Sequence, residues 1–278
     1  MRLSHDGFGP EQIEGDLGTR RIGRRVIVLD ETNSTNDAAF ALAGEPDCDG
    51  VAVFAHHQTA ARGRLGRTWV SPRGASVLCS ILLFESDQPD PPGVDPGTLT
   101  LAAGVATCDA VTAAATDIET TIRWPNDVYV RDRKVAGILI ESRSLAGGRA
   151  YVVGVGVNCL QHAAHFDEAL RGLATSLEAE SRDVISRLTV ARRLLVELDQ
   201  WLADRADPQA LRQAWLDRAE PLGQHIHLRQ AGHDYVGVTV DVDPTAGLVV
   251  QLAGGGRRVF DPATTSLVPG GHRAGSEP

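Results

Sequence analysis

Apolar positions along the chain fall into short runs bounded by turn residues and a few longer segments at helical spacing. Val26 to Leu29 predicts a first strand, entered from the basic stretch Arg20, Arg21, Arg24, Arg25 and leaving into a turn at Asp30-Glu31-Thr32. Ser34-Thr35-Asn36-Asp37, followed by Ala38 to Ala43 and Gly44, predicts a capped helix with a glycine stop. Val51 to Ala55 and Ser76 to Phe84 predict two further strands, and the small-residue segment Thr98 to Ala115 a helix that packs closely on a sheet. Next come a strand at Thr120 to Arg123, a Trp124-Pro125-Asn126-Asp127 turn, and a hairpin of Val128 to Val130 with Val135 to Glu141 through Arg131-Asp132-Arg133. Tyr151 to Asn158 predicts the last strand of the main sheet, with Gly154 and Gly156 on one face.

From Arg182 to Ala219 the spacing turns helical, with Val184, Leu188, Leu195, Leu198, Trp201 and Leu202 on one stripe. From His225 to Val268 it turns to short β runs with turns at Gly232, Asp243-Pro244 and Gly254 to Gly256. The pattern therefore predicts an α/β main domain over residues 23–220 and a small β-barrel-like domain over 221–270. A flexible segment at 1–22 and a disordered tail at 271–278 complete the expected organisation. Asp87 to Pro96, with four prolines, reads as an exposed connection.

Composition narrows the class. A chain of 278 residues, 42% hydrophobic and 23% charged, is neither disordered nor fibrous. Apolar runs such as Tyr151 to Val157 fall short of the roughly 20 residues of a spanning helix, and the polar start Met1 to Asp16 lacks a signal core, so a cytoplasmic protein without membrane partners is expected. Cys48, Cys79, Cys108 and Cys159 are scattered, without the spacing of a zinc site or a disulfide framework. A net charge of -9 argues against general nucleic-acid binding, which draws on basic side chains.

Against that acidic background, Gln58 to Trp69 carries Arg62, Arg64 and Arg67 spaced by Gly63 and Gly66. Such a loop can fold over an anion and present bidentate donors to phosphate or carboxylate; taken alone it is also compatible with an exposed basic loop or an RNA contact. Lysine occurs once, at position 134; every other Lys/Arg position is arginine. A compact ammonium fits between two anions where a planar fork does not, although a surface lysine at a hairpin turn would look the same. His56-His57 and His162-x-x-His165 lack the carboxylate or cysteine that would complete a metal set.

Four motifs then occur in order: Arg62-Gly63-Arg64-x-Gly66-Arg67-x-Trp69, Trp124-Pro125-Asn126-Asp127, Lys134-x-Ala136-Gly137-Ile138-Leu139-x-Glu141 and Gly154-x-Gly156-x-Asn158, with Ser34-Thr35-Asn36 before them. In this the chain resembles biotin protein ligases, in a short form lacking the N-terminal DNA-binding domain. The resemblance implies a class II synthetase-like mixed sheet with helices and an SH3-like C-terminal β-barrel. It also implies a two-step reaction: biotin and ATP give biotinyl-AMP, and a lysine of the biotin carboxyl carrier domain of acetyl-CoA carboxylase, or of a related acyl-CoA carboxylase, then takes the biotin.

By the same resemblance, Lys134, Arg64, Arg67 and Asp127 are the expected catalytic residues, with Lys134 bridging the biotin carboxylate and α-phosphate. Ser34, Thr35, Asn36, Gln58, Arg62, Gly63, Arg64, Lys134 and Gly137 would hold biotin, whose tail would lie against the small residues of the glycine-rich strand. Arg64, Arg67, Trp69, Asn126, Asp127, Lys134 and Asn158 would hold the nucleotide. Mg²⁺ would be carried on the ATP phosphates, with Asp127 as the candidate protein ligand and as a candidate base for the incoming lysine. Two positions depart from the family pattern: Ala61 stands in place of glycine and Arg123 in place of lysine. A lipoate or octanoate ligase of the same fold is the near alternative, and a biotin-sensing regulator the distant one. With about 25 residues before the first strand, too few for a helix-turn-helix, DNA is not an expected partner. A homodimer stays open.

Overall fold

The computed structural model describes residues 7–45, 47–87, 95–203 and 207–268. The tail expected at 271–278 and most of the Asp87 to Pro96 connection lie outside the described residues. The elements run α1 (Pro10–Glu14), β1 (Val26–Leu29), α2 (Thr35–Ala41), β2 (Ala52–Ala55), β3 (Ser76–Ser86), α3 (Pro96–Ala114), β4 (Thr121–Arg123), β5 (Asp127–Val130), β6 (Arg133–Leu145) and β7 (Gly148–Asn158). They continue with α4 (Leu177–Glu180), α5 (Arg187–Trp201), α6 (Pro208–Leu216), β8 (His225–Gln230), β9 (His233–Asp243), β10 (Gly247–Leu252), β11 (Arg257–Phe260) and β12 (Thr265–Leu267).

Seven strands form a mixed sheet in the order β1-β2-β3-β7-β6-β5-β4, in which only β1 and β2 pair in parallel. β3 is buried on both faces over most of its length, which is why its sequence is a continuous apolar run and not an alternating one. One face packs on α3 and α5 through Val77, Cys79, Ile81, Val153, Val155 and Val157. The opposite face is covered by α2, where Ala39 and Phe40 meet Val53, Leu82 and Val152. Beyond the N-terminus of α2 that face opens at Gly154 and Gly156. A cavity forms there.

α3 is long and apolar enough to cross a membrane by composition, yet 72% of that window is buried inside the protein. The helical stripe expected from Arg182 is shorter than its periodicity suggested. α5 begins at Arg187 because the Ser186 side chain caps it, accepting from Thr189 N at 3.2 Å. Val184, before the cap, is 97% exposed and lies off the stripe, whereas Leu195 and Leu198 are fully buried. In the N-terminal segment expected to be flexible, residues 7–22 carry α1 and bury Phe8, Ile13 and Ile22. Asp199 on α5 anchors them by accepting from the backbone N–H groups of Arg20, Arg21 and Ile22 at 2.8, 2.9 and 2.8 Å.

The last five strands form an antiparallel sheet in the order β11-β10-β9-β8-β12. Its inner residues Ile226, Leu228, Leu248 and Phe260 join the same apolar core as α3 and α6. Gly97 permits this docking: a Cβ there would stand 2.5 Å from the Thr245 carbonyl oxygen.

Candidate functional site

Every residue expected at the site lines one cavity of about 560 Å³: Ser34, Thr35, Asn36, Gln58, Arg62, Gly63, Arg64, Arg67, Trp69, Asn126, Asp127, Lys134, Gly137 and Asn158. Arg123 adds a fifth cation beside Arg62, Arg64, Arg67 and Lys134, against Asp127 as the only carboxylate on that wall among the described residues. A chain with a net charge of -9 has thus concentrated positive charge at one place.

The floor is built by β6 and β7. Gly137 and Gly156 stand opposite each other in the ladder, and Trp69 lies across both: a Cβ on Gly156 would meet the indole Cε2 at 2.9 Å and one on Gly137 the indole Cζ3 at 3.0 Å. Gly154 clears space for Asn36, whose Oδ1 would lie 2.3 Å from a Cβ there. The glycines were expected to let a ligand tail lie on the backbone; in this structure protein side chains fill that space. The indole Nε1 of Trp69 is buried without a hydrogen-bond partner among the described residues, a donor facing the cavity wall.

Lys134 rises from β6 with Nζ 2.6 Å from Asp127 Oδ1 and 5.6 Å from the Trp69 ring centroid. The ion pair occupies the Asp127 carboxylate that was expected to serve as a base. Asn126 is engaged as well. Its Nδ2 donates to Ile138 O, and its Oδ1 accepts from Arg64 at 3.2 Å. Asn158 Nδ2 donates to Thr175 O at 3.0 Å while its Oδ1 accepts from Gln161 at 2.8 Å. Both asparagines act as internal ties.

At the α2 end, where Ser34-Thr35-Asn36-Asp37 predicts a capped helix, the Ser34 side chain makes no cap bond. The cap comes from the loop instead: Gln58 Oε1 accepts from Thr35 N at 2.6 Å and from Thr35 Oγ1 at 3.2 Å. With its oxygen so held, the amide nitrogen of Gln58 remains a donor for a ligand. Ser80 of β3, which sequence reasoning missed, stands fully buried with Oγ 2.7 Å from Thr35 Oγ1 and 2.6 Å from Asn36 Oδ1. The signal was a hydroxyl set in the middle of the apolar run Val77 to Phe84.

The arginines do not yet converge on Lys134. Arg62 makes a two-point ion pair with Asp37 at 2.7 and 2.9 Å and reaches Glu141 at 3.3 Å. The Asp37 carboxyl is held below its ordinary value by the hydrogen bond from Arg62, and the Arg62 guanidinium is raised by the same partner. Arg64 turns toward the second sheet, donating to the backbone carbonyls of Pro262 and, at 2.6 Å, Thr265. Burial lowers its pKa, with Asp127 opposing. Between them the loop closes on itself through Gly63 N to Arg67 O at 2.7 Å and Trp69 N to Ala61 O at 3.1 Å. Ala61, one departure from the family pattern, is buried in this small hairpin. Arg123, the other, is held by Glu220 at 2.6 Å and stacks on Tyr129 at 3.9 Å.

The rest of the wall was not foreseen. Phe166, Leu170 and Leu173 line it from the segment after β7, and Ser266, Leu267 and Val268 from the second sheet, where no site residues were expected. Cys79 of β3 meets the cavity only from behind, its side chain in the core against α3 and α5, where burial pushes the thiol up.

Residues 28–158 match the model of the Biotin/lipoate A/B protein ligase family. A biotin--[acetyl-CoA-carboxylase] ligase of Mycobacterium tuberculosis is 36% identical over 262 residues, covering 90% of this chain and 93% of that one. The bifunctional ligase/repressor BirA of Bacillus spizizenii is 30% identical over 252 residues, covering 90% and 76%. Among solved structures, a biotin protein ligase from Aquifex aeolicus in complex with biotin and ATP superposes with a TM-score of 0.70 at 25% identity, over 88% of this chain and 99% of that one.

Proposed function

The chain belongs to the biotin/lipoate A/B protein ligase family, and from that premise we propose how its cavity works as an ATP-dependent biotin protein ligase. In the first step a biotin carboxylate oxygen attacks the α-phosphorus of ATP, forming the acyl-phosphate bond and expelling pyrophosphate. In the second, a carrier lysine amine attacks the acyl carbon, forming an amide, losing a proton and releasing AMP. The first step presses two anions together. Its catalysis therefore needs positive charge already in place.

One observation carries the assignment: the chain's single lysine stands on the glycine-cleared floor, 2.6 Å from the Asp127 carboxylate, within a wall of four arginines. Lys134 serves as the fixed cation between carboxylate and α-phosphate, and Asp127 aims it. Arg62, Arg64 and Arg67 supply loop donors to the phosphates. Gln58, Thr35, Asn36 and Ser34 face the biotin urea, whose polar groups need partners once buried. Trp69, with its unpaired Nε1, packs against the nucleotide.

Among the described residues no group of three or more acidic, histidine or cysteine side chains could cage a metal. Asp127 alone suits a Mg²⁺ that arrives on the nucleotide and keeps most of its other ligands as phosphate and water. When bound, the ion neutralises phosphate charge. The acceptor we propose is the biotin carboxyl carrier domain of an acyl-CoA carboxylase, and the compartment the cytoplasm.

The test is to incubate the protein with ATP, Mg²⁺, biotin and a carrier domain and weigh the carrier. A mass gain of one biotinyl group is expected. Pyrophosphate exchange run separately with biotin, lipoate and octanoate checks the acid, and preference for either fatty acid would overturn biotin as the substrate.

A further inference from the structure

Lys134 lies one residue beyond the first position of β6, next to a two-residue turn. Arg131 and Asp132 in that turn both adopt left-handed φ, 48° and 62°, as tight hairpins of this kind do. A hairpin tip is usually the least supported part of a sheet, yet here it carries the amine that must stay in place. The support comes from outside the hairpin. Lys134 N donates to Leu173 O at 2.8 Å and Thr175 N donates to Lys134 O at 2.9 Å, so residues 173–175 lie alongside as a parallel fragment.

Glu180, the last residue of α4, secures both pieces at once. Its side chain is 0% exposed. Oε1 accepts from Thr175 Oγ1 at 2.5 Å and pairs with Arg133, while Oε2 pairs with Arg131 at 3.2 Å. One carboxylate thus grips an arginine of the turn, the arginine that follows it and the threonine that ends the supporting fragment. A carboxylate this deep is costly unless it is fully paired. Neither Glu180 nor these three partners lines the cavity.

We propose that Glu180 is a positioning residue for the adenylate-forming step, locking the β5–β6 tip against residues 173–175 and so fixing the Lys134 amine. The proposal rests on the reading of Lys134 given above. Asp127 directs the amine itself; Glu180 immobilises the backbone that bears it. A displacement of even about 1 Å at a reacting group can cost roughly 100-fold in rate.

Two half-reactions separate this role from a merely structural one. Biotin-dependent pyrophosphate exchange reports the first step, and transfer from chemically supplied biotinyl-AMP to a carrier domain reports the second. Glu180→Gln keeps the size and the hydrogen bond to Thr175 but releases both arginines, which are 64% and 40% exposed and can be solvated. For this variant we expect kcat of exchange to fall by roughly 10- to 100-fold, KM values to stay within about 2-fold, and transfer to be unchanged. Arg133→Gln, which loses one exposed partner, is expected to show a smaller loss of the same kind and decides the matter should Glu180→Gln not fold. Equal losses in both half-reactions, or intact exchange, would overturn the proposal. Lys134→Ala tells its failure from that of its premise: if Lys134→Ala abolishes exchange while Glu180→Gln retains it, only the role of Glu180 falls, whereas exchange surviving in Lys134→Ala removes the reading of Lys134 as well.

Discussion

Lys134 stands on a strand bonded on both sides, whereas Arg62 and Arg64 reach the same cavity from a loop that closes mainly on itself, through Gly63 N to Arg67 O and Trp69 N to Ala61 O. On the strand side every close neighbour is fixed: β7 beside β6, residues 173–175 beside Lys134 itself, and glycines clearing the floor. On the loop side the cations are lent to other partners, Arg62 to Asp37 and Glu141, Arg64 to the carbonyls of Pro262 and Thr265. A fixed cation can stabilise charge at the moment it develops without reorganising. The loop cations can instead exchange a protein partner for a ligand, which couples ligand binding to loop closure.

The contrast is broken most sharply at Lys134. Lys134→Arg keeps the charge but replaces a point donor by a wide fork beside Asp127 and Trp69, and biotin-dependent pyrophosphate exchange is expected to fall by about 100- to 1,000-fold. Exchange within a few-fold of the parent would mean that charge alone suffices and that the rigid strand confers nothing special.

Next in size is a pair of glycine substitutions, one on each side. Gly156→Ala places a methyl 2.9 Å from the Trp69 ring, an overpacking expected to destabilise the fold by about 1–3 kcal/mol and to displace the indole. Gly63→Ala on the loop meets nothing nearer than 3.5 Å, and the cost to the fold should stay within about 0.5 kcal/mol. Denaturant unfolding of the two variants measures the difference. Equal midpoints would erase the distinction between floor and loop.

A smaller effect is expected at Asp37, whose ion pair with Arg62 is exposed on both sides. Such pairs contribute only about 0–1 kcal/mol, so Asp37→Asn should leave stability nearly unchanged while speeding amide exchange in Gly63 and Trp69 a few-fold. The pH dependence has a definite sign. Arg62 holds the Asp37 carboxyl below its ordinary value, so the pair persists through the ordinary carboxylate range and is lost only as pH falls through the lowered value. A carbon-13 titration of the Asp37 carboxyl with its midpoint at or above the ordinary value would contradict the pairing.

The two sides also differed in how well the sequence announced them. Strands β1 to β7, the arginine-glycine loop and Lys134 were all legible, because each is a local pattern: an apolar run, a charge cluster, a unique residue. The glycines of β7 were legible as small, but not what fills their space, since Trp69 lies far away in the chain. Gln58 capping α2, Ser80 behind Thr35 and Glu180 beneath Lys134 depend on partners brought together by folding. Val184 was placed on a helical stripe because periodicity ignores the Ser186 cap. Phe8, Ile13 and Ile22 pack into the core, yet as isolated apolar residues they carry no period that would mark them as ordered. Tertiary pairing supplied what spacing could not.

The single lysine brings a last consequence of setting one fixed ammonium against many arginines. A biotinyl-adenylate is an acyl donor toward any amine, and guanidinium groups, protonated at neutral pH, are not competing nucleophiles. Every Lys/Arg position other than 134 being arginine, the chain offers its own product only the Lys134 amine and the N-terminus. The Lys134 amine is ion-paired with Asp127 at 2.6 Å, which ties it to the cavity wall. Prolonged incubation with ATP, Mg²⁺ and biotin but no carrier should therefore leave the protein almost unlabelled by intact-mass measurement, with any trace confined to the N-terminus. Labelling at Lys134 would show that the amine leaves Asp127 during turnover, and the strand side of the cavity would then be no more fixed than the loop.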